Sequence, residues 1–413
     1  MSHNATESVE SFRARARTWL AENMPRLGDR PQSGTGEDDT HEWERARELQ
    51  QRLYAGGFAG ICFPEEYGGL GLSSAHQEAF TEESGGYEMP LLLNVPSFAI
   101  CSATLLDTGS EEQKRARIGA AIRGEEVLCQ LLSEPSGGSD LAGLITRAER
   151  DGDEWVLNGA KTWSTSAYAA DWSLCLARTN WDVPKHQGLT MFLVPLKAPG
   201  LTLNRVRMVN GSLEFCEEFF DDVRLPASAV VGEVDGGWTV ASRQLFHERN
   251  AVGGGSPYVS GEGGMRATPH PNPLDMARAS GRAADPRVRE LVGEYLALKT
   301  VHEQTVGRVT RAMATEVLPP AASSLLRLLH AEYAHLSDDH TVRIAGAGIA
   351  TGAGTEPGAT GYAATGFLMR QGVSLGGGST EIARNIVSER LLGMPREPAP
   401  DRGVPFNQVK RGS

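Results

Sequence analysis

Residues 131–179 read "LLSEPSGGSDLAGLITRAERDGDEWVLNGAKTWSTSAYAADWSLCLART". The stretch opens on a Ser-Glu-Pro turn and a glycine pair, residue types that punctuate a chain between regular elements. "DEWVLNGAKTW" and "DWSLCLART" follow. They are short, apolar or alternating, and bounded by Gly, Asn and Asp, which are strand signals. Residues 151–159, "DGDEWVLNG", read as a turn, a strand and a second turn. "LTMFLVPL" and "LTLNRVRMV" continue the pattern downstream. From about 126 to 235 the spacing predicts an antiparallel barrel or sandwich.

Outside this region the period changes. "ESFRARARTWLAENM", "HEWERARELQQRLYAG" and "EEQKRARIGAAIRGE" carry apolar residues at three-to-four spacing among strong helix formers. Residues 1–125 are therefore predicted to be a helical domain, interrupted by the turn-rich "FPEEYGGLGLS". After residue 236 the helical period returns in four long segments, the lengths of a four-helix domain over 236–413. The Gly- and Pro-rich stretch at 253–273 reads as a mobile loop or insertion within it. Helices, then strands, then helices predict an α+β protein with a central β domain between helical domains.

The chain has 413 residues, 40% hydrophobic and 22% charged, which fits a globular protein of more than one core. A net charge of −12 argues against broad nucleic-acid binding, which needs a basic face. No apolar run reaches the roughly 18 residues of a membrane span, so no membrane partner is expected. The first 20 residues do not read as a signal peptide, and a cytoplasmic location is the default expectation. Cys62, Cys101, Cys129, Cys175 and Cys216 are scattered without C-x-x-C spacing, so no metal site is expected.

Residues 375–390, "LGGGSTEIARNIVSER", place glycines before a helix, where phosphates are often held. The stretch lacks the Lys of a P-loop, and the chain lacks the strand–helix alternation of a dinucleotide-binding fold.

"LLSEPSGGSD" resembles the signature of acyl-CoA dehydrogenases, usually Thr-Glu-Pro-x-x-Gly-Ser-Asp. "LNGAKTWSTS" is similar to their Asn-Gly-x-Lys-x-Trp-Ile-Thr-Asn. "FPEEYGGLGLS" and "EIARNIVSERLLGMPRE" fit as well, so the resemblance spans almost the whole chain in order. It implies the same helical, β and four-helix order of domains, FAD as cofactor and an acyl thioester as substrate. It also implies that Leu132 and Ser133 meet the isoalloxazine ring. Ser139 falls near both the FAD phosphates and the pantetheine arm, Trp163 packs on the flavin, and Thr165 lies near N5. Gln130, Ser379, Glu381 and Arg343 complete the implied cofactor contacts, and Phe246, Arg249 and Gly377 join Ser139 against substrate. Glu134 reads as a structural carboxylate.

Desaturation of a thioester removes an α-proton and a β-hydride, so a base and donors to the thioester oxygen are needed. Many relatives carry the base as Glu in Tyr-Glu-Gly-Thr before the last helix. Aligning "GGGSTEIAR" on its Ile and Arg puts Gly377 there. The resemblance then moves the base to Glu248 in "RQLFHERNAV", the position used by isovaleryl-CoA and long-chain acyl-CoA dehydrogenases. Gly377 keeps a backbone N–H for the thioester oxygen and leaves room for a branched or bulky acyl group. His247 points to a different helix face.

The chain departs from the family at "GRAADPRVRELV", where an Arg-x-x-Phe-Gly stretch is usual. It departs again at "RIAGAG", where Arg343 replaces Gln. Some bacterial relatives pair two different subunits around one FAD site. A homo-oligomer, dimer or tetramer, is the expectation, with a hetero-oligomer as the alternative. The electron acceptor would be an electron-transfer flavoprotein or an equivalent. An acyl group on a carrier protein is an alternative substrate. A flavin-dependent monooxygenase or oxidase of the same fold, or a non-catalytic partner subunit, are the competing functions.

Overall fold

The computed structural model describes residues 7–27, 40–252, 256–259, 272–351 and 359–410. Most of the predicted insertion at 253–273 lies outside them. The chain forms two compact units, one of 1–208, 213–266 and 400–413, the other of 209–212 and 267–399.

The first unit opens with helices Val9–Asn23, Thr40–Ala55 and Ser74–Glu83. The first two bury an apolar stripe: Phe12, Ala16 and Leu20 on the first, Trp43, Ala46, Leu49 and Leu53 on the second. A further helical run, Leu91–Thr108, is as long and apolar as a membrane span, contrary to the sequence reading. Most of it, 61%, is buried inside the unit, which is the burial of a core helix. Asn94–Ser102 is π-helical, with Pro96 inside it. That proline hides the helix from a reading based on α-helical period.

The sheet runs in the order β6 (Leu201–Val206), β7 (Phe215–Pro226), β3 (Glu154–Thr165), β2 (Arg147–Asp151), β4 (Trp172–Arg178), β5 (Leu189–Pro195), β8 (Val230–Val231). β1 (Leu128–Leu131) adds beside β4 in parallel, and the long pairings β3–β7, β4–β5 and β6–β7 are antiparallel. The second turn read at Asn158-Gly159 does not form. β3 continues through it with a register shift against β7. Gly159 sits at φ 146°, where a Cβ would lie 2.7 Å from the Thr146 Cα. Close backbone approach, not chain reversal, is what the glycine permits there.

The Gly237–Val252 helix also belongs to the first unit and packs on Asn94–Ser102 and β5. The second unit is helical. Pro286–Ala314 and Ser323–Ala345 pack together, and Ala359–Met369 and Thr380–Ile386 pack on Ser323–Ala345. Its small core holds Met276, Ala277, Val288, Leu291, Ile344 and Ala363.

Candidate active site

In the first unit the end of β1 meets the Gly237–Val252 helix. Gln244 and Glu248 are four residues apart and so share a helix face. Gln130 joins them. Its Oε1 accepts from Gln244 Nε2 at 3.2 Å, and its Nε2 donates to Glu248 Oε2 at 3.2 Å. Gln244 is buried and Glu248 half-buried. The start of β1 is clamped as well. The Ser97 hydroxyl accepts the Leu128 N–H at 2.9 Å and donates to the Leu128 carbonyl at 3.2 Å. Burial, and then the Glu248 charge, push the Cys101 thiol up.

His247 does turn to another face. Its Nε2 meets Asp107 Oδ2 at 2.7 Å, and the Arg243 guanidinium donates to the same oxygen. Phe246 is half-buried, with that guanidinium 4.7 Å from its ring centroid, and Arg249 is exposed. Asp107, Thr108, Thr239, Ser242, Arg243 and Phe246 line an open depression of about 570 Å³.

Beyond β1 the chain enters the turn of residues 132–140. Leu132 is buried, Ser133 half-buried and Ser139 exposed. A buried ion pair supports this turn. Lys161 Nζ reaches Glu134 Oε1 at 2.9 Å and the Leu132 carbonyl at 3.0 Å. Glu134 also accepts the N–H groups of Ile145 at 2.7 Å and Thr146 at 2.8 Å. Burial pushes its carboxyl up, but the Lys161 charge and these donors outweigh burial and hold it below the usual carboxylate range. A carboxylate so fully used is structural.

On β3 the register against β7 slips between Thr162 and Ser164, making Trp163 the extra residue of a bulge at φ 62°. The bulge turns its indole outward. Trp163 is 53% exposed, edge-on to Phe215 at 5.8 Å between ring centroids, and Thr165 is exposed two residues on. An indole this exposed beside a hydroxyl is a surface suited to a flat aromatic ligand.

In the second unit, Gly377 and Gly378 adopt φ 71° and 100°. Arg327 holds the loop by its main chain, donating to the Gly376 carbonyl at 2.8 Å and the Gly378 carbonyl at 3.2 Å. Ser379 caps the following helix, its side chain accepting the Ile382 N–H at 3.3 Å. Glu381 is exposed, and backbone and Thr380 donors at the helix start hold its carboxyl low. Arg343 is exposed in the last turn of Ser323–Ala345. Among the described residues no group of three or more His, Cys, Asp or Glu is placed to hold a metal. Sequence reasoning missed Gln244 and Asp107 as partners of this region. The four-residue spacing of Gln244 from Glu248 is the one signal that was available for Gln244.

Residues 6–125 match the acyl-CoA dehydrogenase N-terminal domain, and residues 129–223 match the acyl-CoA dehydrogenase middle domain. The chain is 35% identical over 393 residues to acyl-CoA dehydrogenase IpdE1 of Mycobacterium tuberculosis, covering 95% of this chain and 99% of that protein. The chain belongs to the acyl-CoA dehydrogenase family. Among solved structures it is similar to the Tcur3481-Tcur3483 steroid ACAD, with TM-score 0.74 and 28% identity over 96% of this chain and 100% of that one. It is also similar to the ChsE4-ChsE5 complex from Mycobacterium tuberculosis, with TM-score 0.69 and 27% identity over 96% and 100%. As an acyl-CoA dehydrogenase it is an oxidoreductase acting on a CH–CH group, and FAD is the general cofactor of the family.

Proposed function

We propose that this acyl-CoA dehydrogenase desaturates an acyl thioester between Cα and Cβ, with Glu248 as the base. The observation that carries the proposal is the Gln130–Glu248 hydrogen bond of 3.2 Å, which aims a half-buried carboxylate at the strand end leading into Leu132 and Ser133. Gly377 has no side chain to serve in that role. The residues present fit FAD: an exposed indole at Trp163, the exposed hydroxyls of Thr165 and Ser139, and the half-buried Ser133. Gln130, Ser379, Glu381 and Arg343 are further candidates for holding it. When bound, FAD supplies the capacity to accept a hydride, which belongs to the cofactor.

The protein's own part is proton removal and orientation. Glu248 takes the α-proton, and Gln130, which donates to its Oε2, orients the carboxylate. The Gly377 N–H is the proposed donor to the thioester oxygen as negative charge develops there. Ser139, Phe246 and Arg249 are proposed to line the path of the thioester. A bulky acyl group suits a turn without a side chain at 377, and a steroid-derived thioester is the class to try first, given the steroid ACAD among the relatives. The paired names of the two solved relatives also support an oligomer, including one with a second chain.

The test is anaerobic bleaching of the flavin by a panel of acyl-CoAs, in the parent protein and in Glu248→Gln. Glu248→Gln is expected to keep FAD and lose about 10²- to 10⁴-fold in bleaching rate, the usual contribution of a general base. An unchanged rate sinks the assignment. Bleaching only by short linear acyl-CoAs would count against the bulky-substrate reading.

A further inference from the structure

Glu218 lies on β7, paired in register with Lys161 of β3. It is fully buried. Its Oε2 accepts from the Ser164 hydroxyl at 2.8 Å, and its Oε1 has no hydrogen-bond partner among the described residues. The mechanism above makes no use of it. Lys161 and Ser164, three residues apart, turn to the same inner side only because Trp163 is inserted between them as the bulge residue. The Glu218–Ser164 hydrogen bond therefore fastens the inside of the segment whose outside carries Trp163 and Thr165. The usual pattern that this segment resembles has Ile at the place of Ser164, so the hydroxyl is a departure from it.

We propose that Glu218, acting through Ser164, is a positioning residue for the flavin: in its protonated form it keeps an uncharged floor beneath the Trp163–Thr165 bulge, and its ionisation makes the flavin harder to reduce. The inference rests on the functional reading above in requiring flavin at Trp163. An ionised carboxylate with one bare oxygen in apolar surroundings is the costlier state. Burial, only partly offset by Ser164 and Lys161, pushes the Glu218 carboxyl up to about 8.

The charged and titratable groups around it do not supply a free counter-charge. Lys161 on β3 is committed to Glu134 and the Leu132 carbonyl. Arg205 on β6 lies opposite Cys216 and donates to the Leu213 carbonyl. Glu217 beside it adds like charge. Cys129 on β1, Cys175 on β4 and Cys216 on β7 are neutral thiols that burial pushes up.

The experiment measures the flavin's two-electron reduction equilibrium in the holoenzyme, against a reference dye, from pH 6 to 10. The parent protein, Glu218→Gln and Ser164→Ala are compared. Beyond the ordinary pH trend of the flavin, the parent is expected to lose roughly tenfold in its reduction equilibrium as pH rises through 8. A tenfold change corresponds to about 30 mV for a two-electron couple, the modest size expected of a single charge acting through protein. Glu218→Gln should lack the extra step. Ser164→Ala, which keeps the acid and removes its link, should show an altered midpoint or size of step. Infrared difference spectra of the parent should show a protonated carboxyl band at pH 6 that fades above pH 8 and is missing in Glu218→Gln. Flavin bound with parallel pH curves in all three proteins overturns this inference alone. A chain that holds no flavin overturns the functional reading and this inference with it.

Discussion

Lys161→Met removes one charge from the interior while nearly conserving volume. The Lys161 and Glu134 side chains are 0% and 2% exposed. At their 2.9 Å separation the attraction is about 6 kcal/mol at an effective dielectric constant near 20. Part of it is returned because Lys161 no longer has to be desolvated. What remains is a buried carboxylate without its counter-charge and a Leu132 carbonyl without its donor. The expected loss is about 3–5 kcal/mol of stability at pH 7. For a unit of this size that is a fall in melting temperature of roughly 6–15 °C. Glu134→Gln combined with Lys161→Met should recover much of the loss, since two neutral groups replace one stranded charge.

The pH dependence carries a sign. In the parent the folded Glu134 carboxyl lies below its ordinary value of 4.5. Its contribution is present above about 4.5 and is lost as pH falls through the folded value. In Lys161→Met burial acts without Lys161, the folded carboxyl rises above its unfolded value, and acid relieves the strain. The gap between parent and variant should therefore narrow on acidification. Urea unfolding followed by tryptophan fluorescence at pH 7 and pH 4 checks both statements. A variant within about 1 kcal/mol of the parent at pH 7 would refute the reasoning, because it would mean the pair contributes no more than an exposed one.

Two further outcomes are expected. Trp163→Ala should weaken FAD retention by about tenfold, the scale of a lost aromatic contact plus its buried area. Its apo-protein melting point should barely move, since the indole is already 53% exposed; dissociation measured by flavin fluorescence checks this. Arg327→Ala frees the carbonyls of Gly376 and Gly378 and should cost about 1.5–3 kcal/mol of loop order. It should appear as a fall in kcat/KM with little change in helix content by circular dichroism.

The helices with an unbroken apolar period were legible in the sequence, as Thr40–Ala55 and Gly237–Val252 show. So was the switch to strands near residue 126. Two features were not. Asn158-Gly159 carries the chemistry of a turn, yet flanking strand pairing holds it extended. Leu91–Thr108 contains Pro96, and its π-helical turn does not keep an α-helical period. At the site, the motif residues Leu132, Ser133, Trp163 and Glu248 came from resemblance to a family. The contacts that would let them work did not. Gln130 reaches Glu248 across 118 positions of chain, and Ser164 reaches Glu218 across 54. No local pattern encodes pairings of that span, and only the folded register creates them.

Arg327 grips carbonyls on either side of Gly377 while the glycine itself sits at φ 71°. A backbone fastened in this way resists relaxing around a new side chain, and a left-handed residue other than glycine starts with a conformational cost of about 1 kcal/mol or more. Any side chain introduced at 377 would therefore meet a backbone with little freedom to adjust, so the arginine clasp makes this turn a poor place to install a new functional group by substitution.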